Sequence, residues 1–173
     1  MKHSLNHGGF SLLELLVVIA VIGILATSVL ARPSQRQAQQ QVEIALRRLR
    51  VGLDRGRLAA ERSGAACGLS LFPESWGAGH DQALPPCRAA VTTLTGRGAD
   101  RVQLRSNLPQ TIRFTANGLV LDGGLVLLSH PDLVQQRCLV IGLPLGITRV
   151  GTYQSTSPDD ALSSAHCRPK DES

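Results

Sequence analysis

The sequence LLVVIAVIGILATSVLA, at residues 15–31, is a run of seventeen residues without a charged side chain. The preceding segment FSLLE, at residues 10–14, adds one acid, Glu14, and four uncharged side chains. As a helix, the 22 residues from 10 to 31 would extend about 33 Å, close to the thickness of the hydrocarbon core of a bilayer. The run therefore predicts a transmembrane helix at residues 10–31.

Three kinds of segment fit this composition: a cleaved secretory signal, a permanent anchor, and a helix that is trimmed on its N-terminal side and then retained. Small residues near Ala31 are typical of a signal, but Glu14 is not, because an ionised group in a membrane costs on the order of a few kcal/mol unless it is paired. A cut between Gly9 and Phe10 would create an α-amino group one helical turn before Glu14. That amine is cationic at neutral pH, so the two charges would neutralise each other within or between chains.

The sequence GFSLLELL at residues 9–16, followed by the uncharged run, resembles the prepilin signature of type IV pilins and type II secretion pseudopilins. The resemblance implies that a prepilin peptidase cleaves after Gly9 and methylates the amine of Phe10. It also implies that Glu14 pairs with the amine of an adjacent subunit during filament assembly. One departure is visible, since the family usually has Lys or Arg directly before the glycine, whereas His7 and Gly8 precede it here.

The same resemblance implies a structural subunit, either a minor pilin or a pseudopilin, of a type IV pilus or a type II secretion pseudopilus. Its expected partners are other pilin or pseudopilin subunits, the prepilin peptidase, the inner-membrane assembly platform and membrane lipid. The resemblance places the precursor in the bacterial inner membrane as a single-pass protein, with a cytoplasmic N-terminus and a periplasmic or extracellular β domain. The basic residues do not set this orientation, because Lys2 precedes the run whereas Arg32 and Arg36 follow it.

The 173 residues fit one globular domain with an accessory segment, which excludes a large multidomain enzyme. After the apolar run the pattern becomes amphipathic: Val42, Leu46, Leu49 and Leu53 recur at helical spacing. Pro33 is expected to kink or interrupt the helix between the two parts. The prediction is an α+β, pilin-like fold, in which a long N-terminal helix packs on a small antiparallel β domain. Its predicted segments are a leader at 1–9, the apolar helix at 10–31, the amphipathic helix at 32–62, the β domain at 63–156 and a polar tail at 157–173.

Beyond residue 65 the hydrophobic period shifts toward two and turn residues cluster, which is typical of short antiparallel strands. Hairpin turns are expected at Asn117-Gly118 and at Asp122-Gly123-Gly124, and a loop is expected at residues 73–86. The predicted strands are residues 68–72, 89–94, 102–105, 111–115, 119–121, 125–129, 137–142 and 147–153.

All four cysteines lie after the amphipathic helix, as expected for disulfides in an oxidising compartment. Of the three possible connectivities, the sequence favours Cys67 with Cys87 and Cys138 with Cys167. Free thiols and a metal site are the alternatives. A metal site is not expected, because no C-x-x-C occurs and His80, His130 and His166 lack ligand spacing; these histidines are expected in loops or on the surface.

The composition also limits the function. Aromatic residues make up only 3%, which argues against an aromatic platform for single-stranded nucleic acid. No G-x-S-x-G, H-E-x-x-H, phosphate-binding or dinucleotide-binding motif occurs, so neither an enzyme nor a cofactor is expected. The net charge is +5 and 16 of the 18 basic residues are arginine. Seven of them lie in residues 36–62 and form either a solvated face or a strip that binds polyanions.

The β region is loosely similar to the GspH/FimT branch of pseudopilins and minor pilins. The similarity is carried by Trp76-Gly77, by LRSNLPQTIRFT at 104–115 and by CLVIGLPLGITRVGTY at 138–153. Some FimT members bind DNA through a G-R-x-R element near the last strand, where this chain keeps only Arg149. The alternative function is therefore a DNA-binding minor pilin, whose phosphate contacts would come from Arg113, Arg137 and Arg149.

Overall fold

The structure, a computed structural model, describes residues 11–30, 33–79, 84–88, 92–94, 101–154 and 161–169. The chain forms two compact units, residues 1–36 and residues 37–173. Helix α1 (Leu12–Leu30) belongs to the first unit, and helix α2 (Pro33–Ser63) continues into the second. The α+β class predicted from the sequence is confirmed, because the second unit combines a helix with antiparallel sheets.

Glu14 is the single charged residue in the mainly apolar sequence of helix α1, and every side chain from residue 11 to residue 23 is exposed. Within the residues that the structure describes, no helix reaches the length and apolarity required of a membrane span. The transmembrane helix predicted for residues 10–31 is therefore not confirmed.

Helix α2 begins at Pro33, a favourable first helical residue, because proline lacks the N–H that has no partner at a helix start. The predicted apolar stripe of α2 is buried: Val42, Leu46, Leu49 and Leu53 are each at most 3% exposed. The four side chains contribute to one hydrophobic core with residues from the strands. The helical period in the sequence thus identified the buried face of α2.

Within the described residues, nine strands form two antiparallel sheets. The first sheet has the strand order β3-β2-β1-β5, and the second has the order β4-β6-β7-β8-β9. The strands are β1 (Cys67–Leu71), β2 (Ser75–Ala78), β3 (Thr92–Thr93), β4 (Gln103–Ser106), β5 (Ile112–Phe114), β6 (Gly124–Ser129), β7 (Gln136–Gly142), β8 (Ile147–Tyr153) and β9 (Cys167–Pro169).

Both sheets supply side chains to the core that α2 covers. Trp76 and Phe114 come from the first sheet, and Leu128 and Leu139 come from the second; all four are at most 1% exposed. The Trp76 indole Nε1 donates a hydrogen bond to the Leu49 carbonyl of α2 at 3.1 Å. This bond satisfies the polar atom of a fully buried indole and fixes the ring against the helix.

Three predictions about the β region were wrong. Strand β2 lies inside the predicted loop at residues 73–86, because Trp76 is a core residue of a short strand. Residues 119–121 form no strand, only an isolated bridge between Val120 and Phe114. The Asp122-Gly123-Gly124 segment is not a hairpin turn, because β6 pairs with β4 and β7. The Asn117-Gly118 turn does occur, with Gly118 at a φ of 72°.

The outer face of the second sheet carries a smaller apolar cluster of Leu125, Leu127, Cys138 and Cys167, joined by the partly buried Tyr153 and Leu162. Part of the predicted polar tail thus covers this face and ends in β9, which pairs with β8. The two disulfides, Cys67–Cys87 and Cys138–Cys167, join the pairs that the sequence favoured. The first closes a loop of 20 residues and the second a loop of 29 residues. For loops of this length the chain-entropy relation gives a stabilisation of about 3 kcal/mol for each disulfide.

The contact between α2 and Trp76 yields a prediction. A Cβ added at Gly52 would overlap the Trp76 indole ring. We expect Gly52→Ala to lower the free energy of unfolding by roughly 1–3 kcal/mol, even though alanine raises helix propensity by about 1 kcal/mol. Urea unfolding followed by the fluorescence of Trp76, the single tryptophan, measures this change.

Gly23→Ala is the matched control, because a Cβ at Gly23 in α1 meets no atom within 4 Å. The control should leave the Trp76 transition unchanged. Equal stability of the Gly52→Ala variant and the parent chain would contradict the close packing of α2 on β2.

Candidate functional site

The candidate site is the N-terminal end of α1, where Ser11 directly precedes the helix. The Ser11 hydroxyl accepts a hydrogen bond from the Glu14 backbone N–H at 3.3 Å, and the Ser11 carbonyl accepts one from the Leu15 N–H at 3.2 Å. Serine at the N-cap with glutamate three residues later is the spacing of a capping box. Ser11 therefore caps the N-terminal end of α1 and accepts a hydrogen bond from one of the backbone N–H groups that have no partner within the helix.

Glu14 lies in the first turn of α1 and is exposed. A carboxylate at this position is stabilised by the helix dipole and by the free N–H groups of the first turn. The position thus supports two roles for Glu14: completion of the cap within its own chain and pairing with a cation outside it. Gly9 and Phe10, the predicted cleavage and methylation residues, lie outside the described residues.

The surface of α1 around Glu14 is apolar on all sides. Between residues 12 and 22 its large hydrophobic side chains are 47–81% exposed. A contiguous apolar surface of this kind marks a site of interaction with a partner protein or a membrane. The exposed side chains are Leu12, Leu13, Leu15, Leu16, Val17, Val18, Ile19, Val21 and Ile22.

The structure does not bring the candidate DNA-contact residues Arg137 and Arg149 to one face. The Arg137 guanidinium forms an ion pair with Glu43 of α2 at 3.1 Å and donates to the Thr152 hydroxyl at 3.3 Å. Arg149 is exposed and is the register partner of Val140 on β7. Since side chains alternate along a strand, residues 137 and 140 point to opposite faces of the sheet. Arg137 therefore faces α2, whereas Arg149 lies on the opposite face.

Arg113 lies in the other sheet, on β5, and is bound to a carboxylate. Its Nε and Nη2 donate to the two oxygens of Asp122 at 2.8 Å each, and its backbone N–H donates at 2.9 Å. These hydrogen bonds, above all from the Arg113 side chain, hold the pKa of Asp122 below its ordinary value despite partial burial. Arg113 therefore lies in a different sheet from Arg137 and Arg149 and is bonded to Asp122, while the other two lie on opposite faces of their sheet.

Among the described residues there is no group of three or more His, Cys, Asp and Glu side chains that could hold a metal ion. His130 lies directly after β6, outside the helices and strands as expected of the histidines, and its side chain is buried. Its Nε2 lies 3.1 Å from the Gln41 side-chain oxygen, and its Nδ1 accepts from the Asp132 N–H at 3.1 Å. These bonds indicate a structural role for His130 between α2 and the end of β6.

Two residues were missed in the sequence: Ser11, which caps α1, and Asp122, which binds Arg113. The Ser11-x-x-Glu14 spacing is a capping signal that is readable in the sequence. The bond between Asp122 and Arg113 had no comparable signal, because their sequence spacing matches no local motif and depends on the chain path after the Asn117-Gly118 turn.

Comparison with protein families finds one match, to the prokaryotic N-terminal methylation motif at residues 5–30. Neither the curated proteins nor the solved structures yield a match to this chain. The matched motif is prepilin-type and supports a relationship with type IV pilins and pseudopilins. It further supports prepilin cleavage and methylation, assembly with other pilin subunits, and a location at a membrane or in a pilus.

The Asp122–Arg113 pair yields a prediction for stability against pH. The pKa of Asp122 is lower in the folded state than its ordinary value of 3.8. The ionised carboxylate therefore adds to the free energy of unfolding fully at pH values above 3.8, and this contribution is lost as the pH falls toward the pKa of the folded state. We expect Asp122→Asn to lower the free energy of unfolding by about 1 kcal/mol at pH 7. The difference from the parent chain should shrink below pH 4, as urea titrations at a series of pH values will measure.

Arg101→Gln provides the control, since Arg101 pairs with Asp132 at 3.2 Å through side chains that are 65% and 36% exposed, whereas Asp132 also lies 3.9 Å from the buried His130. An exposed pair contributes little, so this variant should follow the parent chain within about 0.5 kcal/mol. A difference for Asp122→Asn that stays constant between pH 7 and pH 3 would argue against an ionic origin.

Proposed function

We propose that this chain is a structural, non-enzymatic subunit, a minor pilin or pseudopilin, of a type IV pilus or a type II secretion pseudopilus. The observation that carries the proposal is the position of the methylation motif. The motif at residues 5–30 contains α1, whose described apolar side chains are exposed and whose first turn holds a single acid, Glu14. A processed N-terminus and an apolar helix are the two parts that filament assembly requires.

In this proposal the prepilin peptidase cuts the chain between Gly9 and Phe10 and methylates the new amine. Methylation leaves the amine basic, so the N-terminus is cationic at neutral pH. The mature chain then begins with Phe10, and Glu14 is its first acid. A carboxylate on an apolar surface is stable in a dry interface only with a counter-charge, which the amine of an adjacent subunit provides.

Helix α1 would form the filament core. Burying apolar surface is favourable by about 25 cal/mol per Å², and the described part of α1 exposes apolar side chains on every side. Packing against the same helix of other subunits removes this surface from water or lipid. A bundle of many helices covers α1 on all sides, whereas a single partner helix would leave part of its apolar surface exposed.

The second unit would lie on the outside of the filament. Its two disulfides are consistent with an oxidising compartment beyond the inner membrane. Its core is complete within the unit, because α2 and both sheets cover one another. This unit therefore needs no partner to bury its core and is suited to carry surface contacts.

Glu14→Gln tests the charge pairing separately from the helix cap. Glutamine also serves at the third position of a capping box, so the substitution removes the charge and retains the local hydrogen-bonding capacity. We expect at least a tenfold loss of incorporation into sheared filaments or pseudopili, measured by immunoblot of the filament fraction and of the cell membranes. Glu74→Gln, the same change at an exposed site in the second unit, is the control and should be incorporated normally. Incorporation of Glu14→Gln at the parent level would refute the pairing.

Gly9→Val tests processing. Valine at the residue before the cut should block the peptidase, so that the chain keeps residues 1–9 and is not incorporated. Intact mass of the purified protein measures this, with the parent expected to begin at a methylated Phe10. Glu14→Gln is the matched control, because its cleavage junction is unchanged and it should be processed. A parent chain that retains residues 1–9, or a product that begins at Arg32, would contradict the proposed processing.

A further inference from the structure

A cleft of about 750 Å³ lies between the first half of α2 and the strands β7, β8 and β9. This volume is within the range of ligand-binding clefts, about 300–1,000 Å³. Among the described residues that line it, three are arginines, Arg47, Arg137 and Arg168, and one, Glu43, is an acid. We call it the arginine cleft. Its described lining residues all belong to the second unit.

Two of the arginines lie in one row across the second sheet. Arg137 on β7 is the register partner of Thr152 on β8, and Thr152 is the register partner of Arg168 on β9. Register partners on neighbouring strands point to the same face of a sheet. Arg168 therefore lies on the same face as Arg137, which contacts α2 through Glu43. The two arginine positions are two strands apart, a distance of about 10 Å.

Helix α2 supplies Glu43 and Arg47, which are four residues apart and therefore lie on the same side of the helix. Glu43 is already paired, since its carboxylate lies 3.1 Å from the Arg137 guanidinium. The side chains of Arg47 and Arg168 differ from that of Arg137. Each is exposed, and neither forms a hydrogen bond or an ion pair with another described residue. The cleft thus contains two guanidinium groups that have no counter-charge within the described part of the chain.

The charge of the cleft favours an anionic ligand. Cations that share a cleft repel each other and attract anions, and the concave surface strengthens this field. The planar guanidinium group binds a carboxylate or a phosphate through two parallel hydrogen bonds. The pairing of Arg137 with Glu43 shows that the cleft accommodates a carboxylate.

The uncharged polar side chains of the cleft favour a polypeptide as the source of the anion. Gln39, Gln135 and Gln154 line the cleft, and each side-chain amide has both donors and an acceptor. A peptide backbone offers partners of both kinds, whereas phosphate oxygens only accept hydrogen bonds. None of the described lining residues is aromatic, so this part of the cleft lacks the stacking surface that single-stranded nucleic acid uses.

We propose that the arginine cleft binds an acidic segment of another polypeptide. Arg47 and Arg168 each donate to a carboxylate of that segment, and the three glutamines bond to its backbone. The occupant is identified by charge complementarity, because two unpaired guanidinium groups match two carboxylates. The inference goes beyond the proposed function and does not depend on it, since the described residues of the cleft all lie in the second unit.

Calorimetric titration of the purified full chain, in a non-ionic detergent at low ionic strength, tests the cleft. The probe is the acetylated and amidated peptide GEEEG, and the neutral peptide GQQQG is its matched control. We expect the acidic peptide to bind at least tenfold more tightly than the neutral one. Its affinity should fall as salt is added, because salt screens exposed charges. Equal affinities of the two peptides, or no binding of either at low ionic strength, would overturn the proposal.

Substitution of the two unpaired arginines locates the binding. Arg47→Gln and Arg168→Gln should each weaken the binding of the acidic peptide at least fivefold. Arg149→Gln is the matched control, because it removes the same charge from an exposed position on the opposite face of the same sheet. The control should keep the affinity of the parent chain, and the Trp76 unfolding transition checks that each variant is folded. Equal losses in all three variants would indicate a general effect of net charge and would reject the assigned site.

Glu43→Gln should change the affinity in the opposite direction. Glu43 is the one acid among the described residues that line the cleft. Its neutralisation removes a charge that repels the peptide and releases the Arg137 guanidinium, so we expect the acidic peptide to bind at least threefold more tightly. A merely structural role of Glu43 would instead lower the affinity, and that result would contradict the assigned contacts.

The same titration distinguishes three other occupants. Tighter binding of a thymidine oligonucleotide than of the acidic peptide, lost in Arg47→Gln, would assign the cleft to nucleic acid. Binding of succinate as tight as that of the peptide would assign it to a small dicarboxylate. Peptide binding that appears only when Asp171→Asn and Glu172→Gln are combined would assign it to acids of the same chain. Each of these results would overturn an acidic segment of another polypeptide as the occupant.

Discussion

The second unit depends on one contact, the packing of α2 against the inner faces of two sheets. Leu49 and Leu53 are fully buried, and the Trp76 indole lies over Gly52 and bonds to the Leu49 carbonyl. Neither sheet closes the main core alone, because the inner face of each sheet is apolar and must be covered. Helix α2 covers both inner faces. The buried residues of α2 must therefore fit the space between the sheets, and position 52 must be glycine because a Cβ there would overlap the Trp76 ring.

Apolar side chains are buried in the core of the second unit and exposed in the described part of α1. In the second unit these side chains are covered within the chain, and the polar atoms of buried residues such as Trp76 and His130 have partners. In α1 the described apolar side chains are exposed, and the Ser11 cap stabilises the helix without covering them. The second unit thus has its own core, whereas the apolar side chains of α1 can be covered only by a membrane or by other proteins. That arrangement fits the proposed function, in which the subunit would join a filament through α1.

Helical periodicity was the most informative signal in the sequence. The spacing of Val42, Leu46, Leu49 and Leu53 identified the buried face of α2, and alternation identified β6, β7 and β8 to within a residue or two. The Ser-x-x-Glu spacing at the start of α1 could also have been read from the sequence, but it was missed. Short strands were not, because β2 has only four residues, and its assignment depends on Trp76 reaching α2. The sorting of strands into two sheets, which puts Arg113 in a different sheet from Arg137 and Arg149, depends on long-range pairing that no local pattern encodes.

The last described strand protects the sheet to which it belongs. Strand β8 has seven residues, and β9 pairs with three of them, Gly151, Thr152 and Tyr153. The Cys138–Cys167 bond ties β9 to β7, across the strand that lies between them. Without β9 this part of β8 would present free backbone donors and acceptors, which invite edge-to-edge joining of unrelated chains. Because the second disulfide holds β9 in this place, it limits such aggregation, and it does so only once the two thiols have been oxidised.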